Sequence, residues 1–176
     1  MAIVTGWFRA MAVVLIILGI VSIVEPMVAG LAVTALVGWA LILGGLAHVI
    51  QAFDGGGFGH AVWQVALGAI YVVGGGYFLT HPLLGLGTLT LLLAGILVAE
   101  AVLRIIAYFQ LRGLAGSSWL LANGIVTIFL GCMIWTQWPS SSVWAIGTLV
   151  GVNLLMAGIA RLMVGTVVGR LATKGA

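Results

Sequence analysis

Glu100 and Arg104 stand four residues apart in the run LLLAGILVAEAVLR, whose other members are all aliphatic or glycine. On a helix that spacing puts both side chains on one face, and Glu before Arg is the favourable order. An isolated charge inside a bilayer costs at least ~2.5–3.5 kcal/mol. Glu100 is therefore expected to face other helices, to pair with Arg104 or Arg161, or to be protonated. Two roles fit this candidate buried pair. It either fixes how helices pack, or it forms a site that responds to protons or ions.

A second constellation lies at a fixed distance from the prolines. His48, Arg104 and Arg161 each follow Pro26, Pro82 or Pro139 by twenty-two residues. Equivalent helices could bring the three to one ring that contacts anionic lipid headgroups, or each could simply snorkel to the interface. His81 and Glu25 precede two of the prolines. Histidine changes charge on mild acidification, so these two are candidates for pH sensing at the outer face, with plain solvation as the alternative. Asn153 is expected to hydrogen-bond a neighbouring helix.

Other chemistry is not signalled. The chain carries no HExxH, CxxC, GxSxG or P-loop pattern. Its three histidines and three carboxylates lack the spacing of metal ligands, so neither metal nor cofactor is expected. The single cysteine, Cys132, excludes an intramolecular disulfide and is expected to pack as a small apolar residue. Six basic residues spread over 176 positions form no nucleic-acid patch. No enzyme activity is expected.

The elements that must position these residues are apolar throughout. The composition is 64% hydrophobic and 5% charged, against about 25% charged in soluble domains. Six runs are long enough to cross a bilayer, which needs ~20 residues: roughly 8–24, 28–52, 61–80, 83–109, 119–137 and 143–168. Spans must satisfy their own backbone groups, and without alternation these are helices, not barrel strands. The expected fold is an all-α polytopic membrane protein, a single domain over 1–176 that contacts the lipid bilayer.

The six helices read as three tandem two-helix repeats, approximately 7–53, 63–110 and 119–168, followed by a tail over 169–176. Trp7, Trp63 and Trp119 recur at one interval of 56 residues. Five and twelve residues after each come small residues: Ala12 and Gly19, Gly68 and Gly75, Gly124 and Gly131. Seven residues is about two helical turns, so each couple shares a face. Gly19, Gly68, Gly75, Gly124 and Gly131 are accordingly candidate helix-packing positions, since helices in lipid associate through small residues. Pro26, Pro82 and Pro139 form the turns. Proline ends the preceding helix and suits the first turn of the next, so short turns should make each repeat's two arms antiparallel neighbours.

All six Lys and Arg residues lie on the side opposite the proline turns. That bias predicts cytoplasmic termini at both ends, in a bacterial inner membrane. Below, the two sides are the basic end and the proline end.

The repeated glycine-bearing helix, proline turn and long helix closing in GGLAHVI, EAVLRII or AGIARLM resemble the HdeD family of small bacterial inner-membrane proteins. The resemblance covers about 6–165. It implies a role in acid-stress resistance and carries over no site residue. His48 stands where the later repeats have arginine, and only the second repeat has the glutamate. Two other functions fit the residues: a channel or carrier for protons or a small solute, and a structural or accessory subunit of a larger membrane complex. Beyond lipid, the open partner classes are a second copy of the chain and another membrane protein.

Overall fold

The computed structural model describes residues 2–54, 57–112 and 117–174. The side chains of Arg9, Arg170 and Lys174, which contribute to the charge bias, lie outside the described residues, as do the linker positions 55–56 and 113–116. Among the described residues the chain is helical, without strands. The α-helices are α1 (Ala2–Val24), α2 (Pro26–Gln51), α3 (Gly57–Thr80), α4 (Pro82–Leu111), α5 (Ser117–Thr136) and α6 (Ala145–Lys174). A 3-10 turn, Ser140–Val143, precedes α6.

Five segments are long and apolar enough to cross a membrane: Pro26–Gln51, Gly57–Thr80, Pro82–Leu111, Ser117–Thr136 and Ser140–Met163. The apolar part of α1 within the described side chains is the shorter Ala10–Val24. Large apolar side chains such as Leu36, Val73, Leu103 and Phe129 point outward from these helices. In water such a surface would drive aggregation; in a bilayer it is matched by lipid. At 30 residues, α4 and α6 each run about 45 Å and exceed a ~30 Å hydrocarbon core.

The first two turns share one device. Glu25 N–H donates to Val21 O at 2.9 Å and Glu25 O accepts from Ala29 N–H at 3.2 Å. His81 does the same between Tyr77 O at 2.9 Å and Gly85 N–H at 3.0 Å. One residue thus closes one helix and opens the next. Pro26 and Pro82, lacking an N–H, occupy the first helical position where none is needed.

At the third turn the last helix begins beyond Pro139, close to the expected start of the 143–168 span. The Trp138–Pro139 bond is cis, and α6 starts only at Ala145, after the 3-10 turn. Three serines hold this turn. Ser140 Oγ donates to Gln137 O at 2.6 Å, buried Ser141 Oγ to Ile134 O at 2.8 Å, and Ser142 Oγ to Pro139 O. Trp138 Nε1–H donates to Gly87 O at 3.2 Å. Hydroxyls that bond backbone carbonyls compete with the α-helical ladder, which accounts for the delayed helix start.

The chain forms two compact units, one of residues 1–30 with 143–176 and one of residues 31–142. In the first, α1 packs on α6. In the second, the glycines of α2 meet those of α3, and α4 packs on α5. The arms joined by a proline turn are not the closest partners here: α4 touches α3 far less than it touches α5. A short turn fixes neighbours only where the chain folds, and Phe78 against Gly85 is such a contact. Along the rest of their length helices approach best where both offer small residues.

Candidate functional site

The seams of the three pairs share one register. On α1 and α6, a Cβ built on Gly19 would lie 2.8 Å from Gly151 O, and one on Gly158 would lie 2.9 Å from Ala12 O. On α2 and α3, a Cβ on Gly75 would lie 2.5 Å from Gly38 O, and one on Gly68 would lie 2.8 Å from Gly45 O. On α4 and α5, a Cβ on Gly131 would lie 3.3 Å from Ala94 O, and one on Gly124 would lie 3.3 Å from Ala101 O. Ala12, Ala94 and Ala101 are fully buried. In every pair the small residue nearer the proline end of one helix faces its counterpart on the other, and likewise for the small residue nearer the basic end. Backbones this close exchange dispersion and Cα–H···O contacts along the seam. Gly147 approaches closest of all, its α-carbon set against the Pro26 carbonyl.

One turn beyond each seam, toward the basic end, lie His48, Arg104 and Arg161. Their surroundings differ. His48 sits edge-on to Tyr71, with ring centroids 5.2 Å apart, and its Nδ1 is 2.7 Å from Gln64 Oε1. Since that oxygen accepts, Nδ1 carries the proton. Arg104 donates from Nη2 to Glu100 Oε1 at 2.5 Å. Arg161 makes no ion pair or hydrogen bond with any described residue; its side chain lines a groove of about 310 Å³ with Trp7, Ala10, Met11, Val14 and Leu15. His48 and Arg104 belong to one compact unit and Arg161 to the other.

The pairing of Glu100 with Arg104 is present, but the pair is not buried as the sequence suggested. The side chains of Arg104 and Glu100 are 39% and 45% exposed. The seam of α4 runs through Ala94 and Ala101, and Glu100 lies to one side of it. The pair satisfies itself along one helix and needs no second helix.

At the proline end, Glu25 is exposed. His81 is exposed but engaged: its ring stacks on Tyr77 at 4.9 Å, and its Nδ1 is 2.9 Å from Thr80 Oγ1. The Thr80 hydroxyl gives its one proton to Gly76 O at 2.9 Å, so His81 Nδ1 is the donor to Thr80. On α4, Thr88 and Thr90 donate to Leu84 O and Leu86 O of their own helix. Asn153 is exposed rather than directed at a neighbouring helix. Cys132 is also exposed, on the outer side of α5 rather than within the seam that Gly131 occupies. Sequence reasoning missed Gln64 and Tyr71 as partners of His48, because the contact crosses a pair that the turns do not announce. The spacing of small residues on the second arms did not show which helix Gly38, Gly45 and Gly158 would meet.

The fold and seams define a multi-pass membrane protein built from apolar helix pairs. Residues 10–80 and 67–136 each match the family described as "Short repeat of unknown function (DUF308)". The chain belongs to that family. It is 29% identical over 150 residues to Protein HdeD of Escherichia coli (strain K12), covering 83% of this chain and 78% of that protein. Protein HdeD of Escherichia coli O157:H7 and of Shigella flexneri match over the same share at the same identity. These similarities bear out the HdeD resemblance. No solved structure gives a significant match.

Proposed function

We propose that this chain is a non-enzymatic inner-membrane protein of the HdeD type that contributes to acid-stress resistance. It crosses the bilayer six times as three tandem two-helix repeats, with both termini cytoplasmic. The observation that carries the architecture is the common register of the three seams. Five of the proposed spans have the required length and hydropathy, and α1 supplies the sixth through its seam with α6. The Lys and Arg bias supports the orientation. The acid-stress role rests on the HdeD resemblance. The polar groups within the spans support a packing role rather than conduction, because Thr88 and Thr90 are satisfied within their own helix.

The test is deletion of the protein followed by survival at low pH, with complementation by wild type, Glu100→Gln and Arg104→Ala at matched protein level. Loss of survival restored by wild type supports the reading. Unimpaired survival of the deletion strain contradicts it. Restoration by both variants assigns Glu100 and Arg104 to structure, and failure of both assigns them to function.

A further inference from the structure

We propose that the groove between α1 and α6 holds one acyl chain of an anionic phospholipid, whose headgroup is bound by Arg161. Trp7, Ala10, Met11, Val14 and Leu15 fall on one face of α1, at the spacing of adjacent helical turns. Together with Arg161 they line a groove of about 310 Å³, at the small end of the ~300–1,000 Å³ typical of ligand sites. The walls are hydrocarbon and indole, which suits an acyl chain. Among the described residues the one charged lining group is a guanidinium, which pairs with phosphate.

The sister pairs show why this position differs. His48 and Arg104 occupy the same register, and each is already engaged within the chain, His48 by Gln64 and Tyr71 and Arg104 by Glu100. Arg161 alone of the three has no such partner among the described residues. Tyr71 is the counterpart of Leu15, so an aromatic ring stands in the α2–α3 pair where the α1–α6 pair leaves a groove. The α4–α5 pair offers a groove of about 330 Å³ lined by Gly95, Val98, Cys132, Trp135 and Thr136, with no basic group. An acyl chain could lie there, but nothing selects its headgroup. An unpaired arginine near a membrane surface draws anionic lipid by about 1 kcal/mol, a factor of about five. This inference does not depend on the acid-stress role.

The test uses the full-length chain in mild detergent, equilibrated with equal phosphatidylglycerol and phosphatidylcholine and weighed by native mass spectrometry. Wild type should retain one phosphatidylglycerol in about fivefold preference. Arg161→Gln should abolish the preference and Arg161→Lys should keep most of it. Leu15→Tyr, which places in this groove the ring its sister pair already has, should reduce retention with Arg161 intact. Arg112→Gln should change nothing. The proposal is overturned if wild type shows no preference, if the preference survives Arg161→Gln, or if Arg112→Gln removes it equally. Complete displacement by inorganic phosphate would also overturn it, since a free-anion site needs no acyl groove.

Discussion

At each seam two small residues on one helix meet two on its partner, in all three pairs and in one register. One turn further on, the three equivalent positions hold His48, Arg104 and Arg161, and no two have the same environment. The seams have one solution because a backbone-to-backbone approach admits nothing larger than glycine or alanine. The positions one turn beyond the seams are at least partly exposed, where many arrangements are tolerated. Tight packing keeps three copies alike, while the loosely constrained margin lets each copy take on something of its own.

The comparison breaks most readily at Gly75. Gly75→Ala should destabilise the protein by about 1–3 kcal/mol, because overpacking a tight contact forces the backbones apart; thermal unfolding in detergent measures it. Its neighbours sharpen the point. A Cβ on Gly74 or Gly76 would meet nothing within 4 Å. Gly74→Ala and Gly76→Ala should therefore be neutral, or stabilising by up to ~1 kcal/mol through helix propensity. Equal losses at all three positions would mean that the α2–α3 seam is misplaced.

Gly131→Ala should cost less than Gly75→Ala in the same assay. The nearest atom to its Cβ would be a Val98 methyl at 2.9 Å, and the opposing carbonyl is 3.3 Å away. A methyl can turn aside where a carbonyl cannot. At the basic end the effects shrink further. Gln64→Leu removes the acceptor of His48 and should cost about 1 kcal/mol. Glu100→Gln should cost less than about 1 kcal/mol, since the ion pair is partly exposed and lies along one helix. A loss above that of Gly131→Ala would place Glu100 in a contact beyond this chain, such as a second copy.

Much of this organisation was legible in the residues. Apolar length and the phase of tryptophan and proline announced helices and turns, because span length and proline geometry are local properties. A spacing of seven showed that Gly68 and Gly75 share a face, but not what that face meets. The first arms α3 and α5 each had two chain neighbours available and their glycines suited either, while α1 pairs with α6, which does not adjoin it in the chain. The start of the last helix beyond Pro139 was legible from where the apolar run resumes near 143, and the serine hydroxyl bonds that hold this turn were not. Glu100 was read as buried on charge cost alone. Its actual position depends on the rotation of α4, which is set by Ala94 and Ala101, and alanines are too common in this chain to stand out.

The least local contact in the fold is α1 against α6, the first helix with the last. Cys132 is the only cysteine, so Cys132→Ser gives a thiol-free background. Adding Val14→Cys and Arg161→Cys places two thiols in the lining of the same groove. Treatment of native membranes with a short bis-maleimide should link the two within one chain. Formation of the link only between differently tagged copies, or no link while each thiol reacts singly, would contradict the pairing.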